Sequence, residues 1–168
     1  MISKIYNILT DDEFNYLKNF CENFVTHRIP GKNNYYHTMS LPEDSTQRLQ
    51  SLRNKISDAI KNEIKWIKFK EVKEWWINKI TTETNRDDKF HFDITRATAV
   101  IYLNDDFEGG EFEYFGEEGE KIKLKPEKNL GLIMTDQLNH RVLPVSSGER
   151  FSFIVFIDCE TKGDRTLI

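Results

Sequence analysis

Beyond residue 88 the chain reads as short strands and little else, and no other feature limits its fold so sharply. Strand character recurs over 89–95, 97–104, 111–115, 120–125, 130–135, 140–143 and 150–158. The breaks between these segments hold Gly109-Gly110, Gly116 to Gly119, Pro126 and Ser146-Ser147-Gly148, residue types that turn a chain. Upstream the period is helical. Thr10 followed by Glu13 forms a capping box, Asp11 and Asp12 suit the positive helix start, and Phe14, Leu17, Phe20 and Phe24 share one stripe. Pro30-Gly31 closes that helix region and a short strand is expected over 35–40. After Pro42, Asp44-Ser45 leads into a second helix whose stripe is Leu49, Leu52, Ile56, Ala59, Ile60 and Glu63, ending near Lys65. Ile67 and Phe69 then alternate with Lys68 and Lys70, and the strand continues to Ile80 with Trp75 and Trp76 on opposite faces. Two helices followed by many short strands predict a mainly β, α+β chain in which helices brace a jelly-roll sandwich.

Length and charge bound the rest. The 168 residues fit one domain spanning 1–168, with a helical support region at 1–65 and a β core at 66–158. A net charge of −4 with mixed signs gives no electrostatic case for nucleic acid. Cys21 and Cys159 lie far apart, which disfavours a disulfide scaffold or a structural zinc site. No run approaches the roughly 20 apolar residues of a membrane span, and the start lacks the pattern of a secretory signal. The expectation is a soluble, cytoplasmic monomer.

Chemistry concentrates in a few polar side chains of the β region. Residues two apart on a strand share a face, so His91 and Asp93 can reach one metal ion. Taken alone, that triplet fits a surface histidine near a strand end better. His140, opening a strand after the loop 136–139, supplies a third ligand type. Two imidazoles and one carboxylate can occupy one face of an octahedral iron(II) and leave the other positions open. Arg150 and Ser152 share a strand face with Ile154 and Phe156, and a cation on that face needs a partner. Glu149 or Asp136 would serve as a structural pair, which the residues alone favour; a bound dicarboxylate would serve as well. His27 and His37 read as surface residues, with His37 an alternative for a substrate rim.

Residues 89–158 resemble the iron(II)- and 2-oxoglutarate-dependent dioxygenases of the prolyl 4-hydroxylase-like branch. The resemblance rests on His91-Phe92-Asp93, on Tyr102-Leu103-Asn104 with Gly109-Gly110-Glu111-Phe112, and on His140 to Val145 followed by Gly148-Glu149-Arg150-Phe151-Ser152. It implies a double-stranded β-helix and iron bound by His91, Asp93 and His140. It further implies that Arg150 takes the far carboxylate of 2-oxoglutarate, with Tyr102 and Ser152 assisting. Thr98 and Ile133 fall where pocket-lining residues are expected. The implied reaction consumes dioxygen and 2-oxoglutarate, releases succinate and carbon dioxide, and hydroxylates an aliphatic C–H bond; ascorbate is a candidate auxiliary. The stretch from Ile80 to Phe90 departs from the family pattern, in the region that shapes the substrate groove.

A prolyl residue of a protein or peptide is the expected substrate, with Trp75, Trp76, Tyr35 and Tyr36 lining a groove and the 83–89 loop as clamp or lid. A small-molecule substrate such as a free amino acid is the alternative. A non-catalytic metal-binding β-sandwich module stands further off.

Overall fold

The computed structural model describes residues 2–24, 34–37, 43–64, 67–84, 89–93, 95–135 and 138–161. In chain order the elements are β1 (Ile2–Tyr6), α1 (Asp11–Phe24), β2 (Asn34–His37), α2 (Glu43–Glu63) and β3 (Ile67–Thr81). There follow β4 (Ala97–Tyr102), β5 (Glu108–Gly109), β6 (Phe112–Phe115), β7 (Lys121–Leu124) and β8 (Leu130–Thr135). The last described elements are β9 (His140–Val142), β10 (Val145–Ser147) and β11 (Glu149–Thr161).

The capping box forms as its spacing predicts. The Glu13 N–H donates to Thr10 Oγ1 at 3.3 Å and the Thr10 N–H donates to Glu13 Oε2 at 2.8 Å. Lys55 of α2 pairs with the same Glu13 carboxylate, so the start of α1 is tied to its neighbouring helix. The stripes of the two helices, Phe14, Leu17 and Phe20 with Leu49, Leu52, Ile56 and Ile60, are buried in one core.

That core is completed by one face of a six-stranded antiparallel sheet, in the order β1-β8-β4-β11-β3-β2. Trp75, Ile77, Ala99, Ile101, Ile133, Phe153 and Val155 supply the helix-facing residues. Across the sheet lie a three-stranded sheet, β7-β6-β9, and a two-stranded pair, β10-β5. A second core of Val100, Tyr102, Leu130, Leu132 and Met134 with Phe112 fills the space between. Two facing sheets braced on one side by helices make the expected double-stranded β-helix. Among the described residues no helix is long and apolar enough to cross a membrane.

Three departures are instructive. The stretch 89–95 is not a strand: of its described residues only His91 pairs, through a single bridge to His140. Because β9 begins at His140, residues from Phe92 onward face no ladder to join. β1 was not expected, yet it pairs with β8 along its full length and closes that edge. β5 and β10 are only two and three residues long, too short to leave a periodic signal.

Candidate active site

The bridge that replaces the expected strand assembles the first half of the site. The His91 N–H donates to the His140 carbonyl at 2.9 Å and the His140 N–H returns to the His91 carbonyl at 3.0 Å. This pairing sets the two imidazole centroids 4.5 Å apart. Asp93 then lies with Oδ1 3.8 Å from His140 Nε2, and one ligand atom from each of the three residues falls within 4.8 Å of the others. His91 Nδ1 sits 3.0 Å from the Lys89 carbonyl and His140 Nδ1 sits 2.8 Å from the Leu138 carbonyl. A carbonyl accepts only, so each Nδ1 carries the proton and each Nε2 presents its lone pair, the tautomer that a metal ligand needs. Phe112 stacks on the His140 ring at 5.0 Å and fixes its plane.

The second half comes from strand register in the large sheet. Tyr102, Ser152 and Asn78 stand in one cross-strand row, and Arg150 stands beside Ile80 in the next. Asn104 brackets the arginine: it accepts from the Phe151 N–H at 2.8 Å and donates to the Glu149 carbonyl at 2.7 Å. Gly110, at φ +66°, makes room, since a Cβ there would lie 3.0 Å from Arg150 Cδ. The Arg150 guanidinium lies 5.1 Å from the Tyr102 ring centroid. Burial raises the Tyr102 phenol above the usual tyrosine range, partly offset by the arginine's charge, so the phenol keeps its proton.

Among the described residues no carboxylate pairs with Arg150, which is only 2% exposed. Glu149, the expected structural partner, instead pairs with Lys79 at 2.7 Å; Asp136 lies outside the described residues. Arg150 Nε, the Ser152 hydroxyl and Asn78 Oδ1 are all buried without a hydrogen-bond partner. Leaving a buried cation and its polar neighbours unsatisfied is costly. A carboxylate ligand fits these groups, and a divalent ion fits the His–Asp–His donors with open positions between the two sets. The site therefore has the chemistry to hold iron(II) and 2-oxoglutarate together.

A cavity of about 340 Å³ joins the two halves, reaching from His91, Asp93 and His140 to Arg150. Thr98 lines it as expected. Ile133 does not: it sits opposite Ala99 on the helix-facing side, and Met134, one residue on, takes the lining position. Strand alternation makes that one-residue difference decisive. Trp75 packs edge-on against Phe153 in the helix-side core, leaving Trp76 alone of that pair at the cavity. The side chains of Tyr35, Tyr36 and His37, together with His27 and residues 85–88 of the expected lid, lie outside the described residues. The sequence assigns no role to Asn78, which register with Ser152 would locate, or to Asn104, although it stands in the Tyr102-Leu103-Asn104 motif.

Residues 78–158 match the family model of the 2OG-Fe(II) oxygenase superfamily. No curated protein sequence matches the chain. Among solved structures, a viral collagen prolyl hydroxylase from Paramecium Bursaria Chlorella virus-1, in its 2OG complex, is 19% identical with TM-score 0.59, covering 93% of this chain and 94% of that one. A prolyl hydroxylase from Trichoplax adhaerens, in complex with a hypoxia inducible factor peptide fragment, is 12% identical with TM-score 0.67, covering 94% and 83%. The non-heme alpha ketoglutarate dependent carbocyclase SnoK from nogalamycin biosynthesis is 15% identical with TM-score 0.70, covering 98% and 83%. At these identities the likeness is one of fold. The superfamily's cofactor set is iron(II), 2-oxoglutarate and dioxygen, the set whose donors the cavity supplies. Residues 78–158, which supply most of this site, thus match the sequence pattern of the 2OG-Fe(II) oxygenase superfamily and carry the His–Asp–His cluster on a fold similar to that of the viral collagen prolyl hydroxylase.

Proposed function

We propose that this chain, as a single domain, is an iron(II)- and 2-oxoglutarate-dependent hydroxylase acting on a prolyl residue of a protein or peptide. His91, Asp93 and His140 would hold iron through two Nε2 atoms and one carboxylate oxygen. Arg150 would hold the far carboxylate of 2-oxoglutarate, with Tyr102 and Ser152 as further hydrogen-bonding groups. Bound there, iron(II) with 2-oxoglutarate and dioxygen supplies the oxidation that turns C–H into C–OH as 2-oxoglutarate becomes succinate and carbon dioxide. The protein's own part is positioning. Arg150 anchors one end of the co-substrate, and Val100, Met134 and Ile154 line the cavity with apolar surface.

The observation that carries the proposal is the buried Arg150, without a carboxylate partner among the described residues, in the same cavity as the three metal-ligand types. A structural arginine would have found a carboxylate of its own. The peptide substrate is supported by a second, outer depression of about 270 Å³ beside the metal ligands, with walls from Trp76, Phe92 and Phe156. Phe92 is 58% exposed at that rim, an apolar surface suited to a bulky substrate residue. The similarity in fold to hydroxylases acting on prolyl groups agrees with it.

The test is succinate formation from 2-oxoglutarate by the iron(II)-loaded protein with ascorbate, beside Arg150→Ala, with proline-rich peptides or free amino acids added. Turnover that needs Arg150 and is stimulated by peptide supports the whole proposal. Stimulation by a free amino acid alone would replace the peptide with a small molecule. Metal and 2-oxoglutarate binding that Arg150→Ala leaves untouched would overturn the assignment of the site.

A further inference from the structure

Of the described part of the His91 segment, only His91 joins the sheet, through the two backbone hydrogen bonds to His140. Two such bonds fix one residue's backbone but leave the segment free to pivot about it. His91 is also the exposed member of the triad, whereas His140 is buried within β9. Something else must hold the first ligand still.

Strand alternation supplies it. His91 opposes His140, so Phe90 opposes Arg141, and Arg141 in turn opposes Glu113 of β6. These three side chains form a row on the face turned away from the metal. Glu113 is buried although charged, and its Oε2 accepts from both Nε and Nη2 of Arg141 at 2.6 Å. The guanidinium so held lies 4.6 Å from the centroid of the Phe90 ring. Phe115 packs against the same ring at 4.5 Å, and Lys121 Nζ approaches it at 5.5 Å. Phe90 precedes His91 and Arg141 follows His140, so each histidine ligand has a neighbour in this assembly on the opposite face. Neither Phe90, Phe115 nor Arg141 belongs to either buried core.

We infer that Phe90, held between Phe115, Arg141 and Lys121, is the positioning residue for His91, and that Glu113 acts through Arg141 to hold it. This rests on His91 being a metal ligand. Two cations on one aromatic ring give the contact direction as well as area, which a packing residue elsewhere would not need. Groups that orient a ligand from outside the coordination sphere typically change metal affinity by roughly 10–100-fold when removed.

Co(II) alone, titrated into the metal-free full chain, reads the inference through both affinity and its visible absorption. Phe90→Ala should bind Co(II) at least about 10-fold more weakly. Its spectrum should shift toward that of His91→Ala, while the melting temperature of the metal-free protein stays near that of the unaltered chain. Phe90→Tyr, which keeps the ring face, should recover both affinity and spectrum. Glu113→Gln should give a smaller loss in the same direction. If Phe90→Ala fails to fold, Phe90→Leu takes its place, since it keeps most of the volume without the ring. Unaltered affinity and spectrum in the folded variant would overturn the inference, as would a loss that Phe90→Tyr does not recover. Failure of the unaltered chain to bind Co(II) would instead remove the metal-centre reading, and this inference with it.

Discussion

Along β11, Phe151, Phe153, Val155 and Ile157 turn toward the helices and are buried, while Arg150, Ser152, Ile154 and Phe156 turn toward the small sheets. The first set consists wholly of apolar groups packed against other apolar groups. The second begins with an arginine and a serine that have buried polar atoms without partners. One strand therefore carries two kinds of residue at alternate positions, one holding the fold together and the other held in place by it. A substitution moved by a single position should change which property fails.

The largest effect expected from this division is on stability. Phe153→Ala removes a fully buried ring beside Trp75 and should cost about 3–5 kcal/mol, read by urea denaturation. The folded fraction should still bind 2-oxoglutarate in the presence of Mn(II). Loss of ligand binding at unchanged stability would break the comparison.

On the other face, Trp76 lines both the inner cavity and the outer depression. Trp76→Ala should raise KM for a peptide substrate roughly 10-fold, as loss of an aromatic contact residue typically does. The 2-oxoglutarate affinity should stay within about twofold, since Trp76 lies away from Arg150 in register. Equal losses in both would mean that inner and outer spaces act as one.

Ser152→Ala sharpens the account further. Deleting a buried hydroxyl that lacks a partner should leave stability unchanged or raise it by about 1 kcal/mol. Co-substrate affinity should fall several-fold, measured by calorimetry. A clear drop in stability would show that the hydroxyl has a structural partner after all.

The smallest effect lies far from the site. Thr10→Ala removes the α1 cap and should cost about 1 kcal/mol without altering turnover. Burial raises the pKa of Glu13 here, but bonds from Lys55 and Thr10 outweigh it and set the carboxyl below its usual range. That contribution is present above the ordinary glutamate range and is lost as pH falls through the lowered folded value. The cost of Lys55→Met should therefore shrink in acid, whereas Thr10→Ala, which keeps the backbone N–H that donates to Glu13, should cost nearly the same at either pH.

Much of this is legible in the sequence. The helix stripes and the capping box could be read because helical periodicity is long and local. His91, Asp93, His140 and Arg150, which the structure brings to one cavity, could be singled out through the ordered motifs of the family resemblance rather than by spacing alone. What stayed hidden depends on register between distant strands. Ile133 and Met134 are adjacent in sequence, and only the pairing of β8 with β4 decides which one reaches the cavity. Asn104 stands in a motif, but its bonds on either side of Arg150 span 45 residues or more, and Phe90 meets Glu113 only through Arg141, so no local pattern reveals either role. The single bridge at His91 was mistaken for a strand because its alternation is real while its partner ladder stops at His140.

The most direct test of the division is thermal unfolding of Arg150→Leu, with and without Mn(II) plus 2-oxoglutarate. The account predicts that the ligand-free melting temperature holds or rises, because a buried cation with no carboxylate partner among the described residues has been removed. It also predicts that the ligand-induced rise seen in the unaltered chain disappears. A variant that melts early yet keeps its ligand-induced rise would make Arg150 a structural residue and contradict the account.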